Sequence, residues 1–428
     1  MQPKKDRIRF GCCSPVVVPK IDLPLEEQVR LVADGGIDFA LVGWYDGFMS
    51  FDKEQRIEFF RLFDKHGVEC LFYDEDTMFP FQGDKLNMMF DAEKLANADY
   101  YKDLPAFGGN MFLDEPGNVH FDEIGRTVRE YMELFPGKLT LVNLLPMYAN
   151  EKQLSGGQFS DVIDYYETQD ISFQKYLDEF VEKVPTDYIC VDIYPCHTDG
   201  KSKTTYKDYI RSIEIVADTC RREGREFWCC IQACGWGTSV RVPDEADFRW
   251  QVYTMLSYGV KTLIDYLYGS RCLGENVDPL LRLSTPIAGN GKKNPMWFHH
   301  RRVAGEVRTI SDVYVQYRNL GAFSVNCTGE TPYLRMANPY KGFDVLSDIQ
   351  CDKPLLVGCF EKKNGKGSAF TLVNMTDLAK PDYAEVKVKI AGSATSYYGG
   401  LAKAEIADEA GYHTFTLGEG DGVFVTVE

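Results

Sequence analysis

The sequence predicts an α/β fold: a closed (β/α)8 TIM barrel carrying a C-terminal antiparallel β-sandwich-like domain. Three observations carry this expectation. Eight short apolar runs alternate with amphipathic stretches of helical period between Ile8 and Tyr268. No glycine-rich phosphate loop follows the first run, as a doubly wound nucleotide-binding sheet would need. Beyond Gly321 the pattern changes to short strands punctuated by Gly, Asn and Asp. The 428 residues, 44% of them hydrophobic, suffice for one large core and a smaller one, and the domains are read as 1–325 and 326–428.

The barrel strands are expected at Ile8–Cys12, Phe39–Gly43, Glu69–Tyr73, Asn110–Leu113, Leu139–Leu144, Tyr188–Ile193, Phe227–Ile231 and Thr262–Leu267. Between them, Leu25–Ala33 ends at Asp34-Gly35-Gly36, Lys53–Lys65 ends at His66-Gly67, and Phe173–Val184 precedes Pro185, each a helix with a recognisable stop. Asp244 after Pro243 reads as the N-cap of a helix to Ser257, and Pro295–Leu320 as the last barrel helix. In the second domain, strands are expected at Leu355–Glu361, Ser368–Asn374, Ala384–Ile390, Thr395–Tyr398, Tyr412–Leu417 and Val423–Val427. Residues 322–352 hold Phe323, Tyr333, Leu334 and Phe343, too apolar for a solvated tether, so the domains are expected to pack together.

A net charge of −17 repels nucleic acid and anionic membrane surfaces, and no apolar stretch is long enough to cross a bilayer. Thirteen scattered cysteines without Cys-x-x-Cys spacing read as reduced thiols. The charged N-terminus lacks an apolar leader, so a cytoplasmic location is expected, unless a signal peptide precedes the numbering. Neither Cys196-His197 nor His299-His300 has partners at zinc-like intervals, and no metal or cofactor is expected.

In a (β/α)8 barrel the site lies at the C-terminal strand ends. Here those ends hold Trp44, Tyr45 and Asp46; Tyr73 and Asp74; Asp114 and Glu115; Asn143 and Tyr148; Asp192 and Tyr194; Gln232 and Trp236; and Asp265 and Tyr266. The absence of lysine there disfavours Schiff-base and phosphate chemistry, and the absence of a positioned histidine disfavours metal-dependent hydrolysis. Carboxylates, amides and rings suit a sugar: acids protonate a glycosidic oxygen, amides bond hydroxyls, and rings stack on a pyranose. Each residue taken singly also has a structural reading, as rim packing or as a loop cap. Asp114-Glu115 could cap the helix expected to begin near Asp122.

With these residues in view, the chain resembles the (β/α)8 glycoside hydrolases of the large retaining clan that includes the β-galactosidases. In those enzymes the acid/base glutamate ends strand four, commonly as Asn-Glu-Pro; here Asp114-Glu115-Pro116 stands there. The clan's nucleophilic glutamate ends strand seven, where this chain has Ile231-Gln232-Ala233. An adjacent Asp-Glu pair at strand four is similar to hexosaminidases of glycoside hydrolase families 20 and 123, in which a 2-acetamido group of the substrate replaces the nucleophile. That resemblance implies Glu115 as general acid/base, Asp114 orienting the acetamido group, and Tyr194 or Tyr266 bonding its carbonyl. The alternatives are a conventional retaining β-glycosidase with Asp192 or Asp265 as nucleophile, and a catalytically inactive glycan-binding barrel. The partner implied is a carbohydrate whose terminal sugar is cleaved; self-association is compatible with the sequence. Glu115, enclosed by Phe112, Tyr194 and Tyr266, is expected to hold its proton towards neutral pH while Asp114 stays ionised.

Overall fold

The computed structural model describes residues 7–15, 23–43, 48–74, 81–82, 85–86, 92–157, 171–269, 285–326 and 331–428. Among these, eight parallel strands close into a barrel: β1 Arg9–Cys13, β2 Phe39–Val42, β3 Glu69–Phe72, β4 Phe107–Asp114, β5 Leu139–Leu144, β6 Tyr188–Asp192, β7 Glu226–Gln232 and β8 Thr262–Tyr266. Because β1 pairs with both β2 and β8, the sheet has no open edge. Strand alternation then sorts side chains into two layers. Cys13, Leu41, Leu71, Met111, Leu141, Cys190, Cys230 and Ile264 fill the interior, while Cys12, Val42, Phe72, Val142, Val191, Ile231 and Leu263 meet the helices.

The helices follow the strands in order: α1 Leu25–Gly35 after β1, α2 Lys53–Lys65 after β2, the short Ala92–Ala96 before β4, α3 Phe121–Leu134, α4 Phe173–Lys183, α5 Tyr209–Glu223, α6 Glu245–Ser257 and α7 Pro295–Tyr314. Local sequence sets their ends. Asp52 and Gln55 form a reciprocal capping box at α2, as Asp244 and Asp247 do at α6. Gly36, at φ 93°, closes α1 in the left-handed conformation that glycine adopts without steric cost.

The last helix is shorter than the expected Pro295–Leu320. It ends at Tyr314, whose hydroxyl is held by the carbonyls of Leu256 (2.7 Å) and Val260 (3.2 Å). The chain then turns into β9 Tyr317–Val325, which pairs antiparallel with β11 Leu355–Lys362. Residues placed with the barrel by a boundary at 325/326 therefore hydrogen-bond into the second domain. Two further strands were not expected, β10 Leu346–Gln350 and β15 Leu401–Ala404. With β12 Ser368–Asn374, β13 Ala384–Ile390, β14 Ala394–Tyr398, β16 His413–Leu417 and β17 Gly422–Val427, they form two antiparallel sheets, β9-β11-β12-β17-β14-β15 and β10-β13-β16.

Val357, Phe370, Leu372, Val386, Phe415 and Val425 form the core between these sheets. The other face of the larger sheet, with Leu356, Phe360, Val373 and Phe424, belongs to the same apolar cluster as the barrel helices. Tyr314 of α7 meets Phe360 and Phe424 at ring distances of 5.6 and 5.5 Å. The approach is closest at Gly358, where an added Cβ would lie 2.5 Å from the Ser257 carbonyl oxygen at the end of α6. The connecting residues are docked: Tyr333 donates to the Met375 carbonyl at 2.7 Å and Leu334 is fully buried. Among the described residues, no helix is long and apolar enough to cross a membrane.

Candidate active site

A β-bulge in β4 decides what the barrel mouth contains. Met111 lies opposite Leu141 and Asp114 opposite Asn143, and the register shifts by one between Met111 and Leu113. Leu113 consequently pairs with the outward residue Val142, and Phe112 and Leu113 both pack in the helix-facing layer, Phe112 edge-on to Tyr131 at 5.0 Å. The extra residue brings Asp114 to the inner face beside Asn143. Phe112, expected to enclose Glu115, lies in the opposite layer because it follows inward Met111, as plain alternation requires.

Glu115 follows with φ at 48°, a left-handed conformation that costs a non-glycine residue roughly 1 kcal/mol or more. Neighbouring contacts hold it there. Its N–H donates to the Asn143 carbonyl at 2.8 Å. Tyr176, from α4, donates to the Pro116 carbonyl at 2.5 Å and accepts from the Leu145 N–H at 3.3 Å. A Cβ on Gly117 would lie 2.0 Å from the Ser155 carbonyl oxygen, so the loop after Glu115 rests directly on the end of the short helix Glu151–Gly156. The capping alternative for Asp114-Glu115 is not what forms: α3 starts at Phe121 with His120 at its N-cap and no side-chain cap bond.

The Asn143 amide links the carboxylates. Its nitrogen donates to Asp114 at 3.0 Å and to Asp192 at 3.2 Å. Its oxygen accepts from the Cys190 thiol at 3.4 Å, which an amide turned the other way would not do. Burial raises the pKa of all three acids. At Glu115 a negative charge at Cys230 adds to it; at Asp114 the Glu115 charge adds and the Asn143 bond opposes; at Asp192 the charges of Glu115 and Asp114 add. Asp114 is thus pushed up as well, first by burial and then by the neighbouring Glu115 charge. Beneath them, hydrogen bonds from Cys13 and Cys190 lower the pKa of Cys230, while Cys13 and Cys190 are pushed up.

Beside the acids, Tyr194, Trp236 and Tyr266 form a mutual aromatic group with ring separations of 5.1, 5.3 and 5.7 Å. Tyr148 contacts Tyr206 at 5.2 Å; although the residue as a whole is 45% exposed, the surroundings of its hydroxyl raise its pKa by desolvation and by the charges of Asp192 and Glu115. Tyr73 packs at the upper edge of the interior cluster. Asp114, Glu115, Asn143, Asp192, Tyr194, Tyr266, Trp236 and Tyr148 are therefore neighbours, linked by hydrogen bonds, ring contacts or mutual charge. Trp44, Tyr45 and Asp46 lie outside the described residues.

Three expected site residues do other work. Gln232 is fully buried, and its amide is engaged by backbone: the oxygen accepts from the Cys196 N–H at 2.8 Å, and the nitrogen donates to the carbonyls of Arg241 (2.6 Å), Cys234 (3.1 Å) and Cys196 (3.2 Å). It fastens the loops carrying Tyr194 and Trp236 instead of presenting itself to a ligand. Asp74 follows inward Tyr73, so alternation sends it outward, where it accepts from Tyr101 in the aromatic layer beside α2. Asp265, between inward Ile264 and Tyr266, likewise faces the helices and meets His300 of α7. That removes it as a candidate nucleophile. No local signal points to Tyr176, a helix residue far from any strand end, or to the three interior thiols, which resemble ordinary core cysteines. Among the described residues, no group of three or more His, Cys, Asp or Glu is arranged to hold a metal ion.

No family model matches the sequence, and a search of curated proteins finds no significant match. Solved structures do share the fold. Gan42B, a GH42 β-galactosidase, superposes with a TM-score of 0.61 at 8% identity, covering 98% of this chain and 98% of that one. A catalytic mutant of Gan42B from G. stearothermophilus gives 0.57 at 8% identity, covering 99% and 98%, and a protein described as a glycoside hydrolase gives 0.54 at 10% identity, covering 100% and 96%. These likenesses run through both domains and are likenesses of fold.

Proposed function

We propose that this protein is a glycoside hydrolase that removes a terminal sugar from a glycan or glycoconjugate, with Glu115 as general acid/base. The observation that carries the proposal is the β4 bulge, which delivers Asp114 and Glu115 to the barrel mouth, joined through Asn143 to Asp192 and flanked by Tyr194, Trp236 and Tyr266. The fold it shares with glycoside hydrolases supports the same reading.

The chemistry follows from the protonation pattern. Glu115, its pKa raised by burial, gives its proton to the leaving oxygen as the C1–O bond breaks. In the substrate-assisted route the 2-acetamido oxygen bonds to C1, and water later opens that ring while Glu115 takes back a proton. Positive charge developing on the acetamido group would draw the pKa of Asp114 down, so that its carboxylate forms when it is needed. Tyr194 or Tyr266 would bond the acetamido carbonyl.

A second reading is favoured by the inward, hydrogen-bonded position of Asp192, which is where a conventional nucleophile would have to stand once Asp265 and Gln232 are set aside. A panel of nitrophenyl glycosides with and without a 2-acetamido group separates the two. Turnover restricted to acetamido sugars supports the first, and turnover of plain sugars with 2-fluoro-sugar labelling of Asp192 supports the second. No turnover of any member, with saturable sugar binding, would leave a glycan-binding barrel.

A further inference from the structure

We propose a second ligand site, for a small organic molecule bearing an oxyanion such as a phosphoryl group, in the cleft between the N-terminal ends of β7 and β8 and the edge of the C-terminal sandwich. This cleft has a volume of 560 Å³, within the range of small-molecule pockets, and lies at the barrel end opposite Glu115. Its walls come from both domains: Arg225, Glu226 and Lys261 from the barrel, and Arg318 and Lys363 from β9 and the turn after β11.

Charge is the first observation. The whole chain carries −17, yet this cleft is lined by five cationic residues and two acidic ones. Three of the five cations are paired, Arg221 with Asp218, Arg318 with Glu361, and Lys261 with Glu226 at 3.5 Å. Arg225 donates to the backbone carbonyls of Val184 (2.9 Å) and Val181 (2.5 Å), which leaves its charge without an acid in contact among the described residues. Lys363 has no described acid within ion-pair distance, and its ammonium group faces that of Lys261 closely enough for partial desolvation and the like charge to lower its pKa. Cations set side by side in a cleft are the arrangement an anion relieves.

The second observation is independent of charge. Tyr258, 2% exposed, lines the same cleft, and its hydroxyl has no hydrogen-bond partner among the described residues. A buried polar group without a partner is destabilising, and a ligand oxygen brought within reach of it would satisfy it. Phe227, Leu320 and Phe360 supply apolar wall for the organic part of such a ligand.

The test is calorimetric titration of the full chain with inorganic phosphate, with glucose 6-phosphate and with glucose, each at ionic strength held constant with sodium chloride. Saturable binding of phosphate is expected, with Lys261→Gln and Lys363→Gln each weakening it about tenfold, the scale of one charge-assisted hydrogen bond. Lys363 is exposed, so its variant should fold as the parent does, and circular dichroism checks this. Tighter binding of glucose 6-phosphate than of phosphate identifies a phosphorylated metabolite as the ligand type, and equal binding identifies free phosphate. Heats indistinguishable from chloride for both anions, or unchanged affinity in both lysine variants, would overturn the site.

Discussion

Asp265 and His300 meet at 2.6 Å between Oδ2 and Nδ1, with neither side chain exposed to solvent. Phe10, Phe248 and Tyr268 surround the imidazole at 5.2 to 6.3 Å, so the pair is an isolated polar bridge between β8 and α7. Replacing Asp265 by Ala should cost about 1–3 kcal/mol, the scale for disturbing one buried polar contact. Chemical denaturation measures this. Activity per folded molecule should persist, an outcome incompatible with Asp265 as nucleophile.

Glu115→Gln keeps the shape of the side chain and removes its proton. Turnover should fall by about 10²–10⁴-fold on glycosides with poor leaving groups and much less on activated aryl glycosides, which depart without protonation. Equal rates for variant and parent on an unactivated substrate would take Glu115 out of the mechanism.

Asp192 gives a pH-dependent prediction. Folding raises its pKa through burial and the charges of Glu115 and Asp114, so the folded state keeps a proton that the unfolded chain releases. Its favourable contribution is complete below the ordinary carboxylate range and is lost as pH rises through the raised value. Asp192→Asn should therefore stabilise the protein at neutral pH by about 0.5–2 kcal/mol, the usual yield of one stabilising change, with the gain shrinking in acid. Denaturation at several pH values reads the sign directly.

Tyr176 acts through the backbone that carries Glu115. Losing its hydroxyl in Tyr176→Phe should lower stability by about 1 kcal/mol and reduce kcat more than it changes KM, since the Pro116 carbonyl loses its anchor but no substrate contact is removed. Proportional loss in both parameters would point to substrate contact instead.

Most of the barrel was legible because each strand is a short apolar run closed by turn residues, as in Phe39–Val42 or Tyr188–Asp192, and because capping pairs such as Asp52–Gln55 mark helix ends. What escaped depends on long-range partners. Nothing local in Val315–Val325 says that its backbone will pair with Leu355–Lys362. Period-two alternation, applied to Tyr73-Asp74 and Asp265-Tyr266, would have sent both aspartates outward. The bulge at Phe112–Leu113 is the opposite case, since plain alternation from Met111 would have put Leu113 in the barrel and Asp114 outside it. Gln232 was misread because its residue type suits a sugar, while its four backbone bonds exist only once two distant loops have closed over it.

Helix α6 has no solvent-facing side beyond Arg249: Trp250, Val252, Tyr253, Met255 and Leu256 are all buried, some against the barrel and others beneath the sandwich, where Trp250 reaches the sulfur of Met375 at 3.1 Å. The sheet that covers it has β17 between β12 and β14, so the cover is complete only once Phe424 is in place. During synthesis, then, the barrel emerges from the ribosome with one flank still apolar and uncovered, and stays so until the strand carrying Phe424 has been translated. A chain cut short within the second domain would therefore present that uncovered flank to its neighbours and aggregate, instead of standing as a smaller independent barrel.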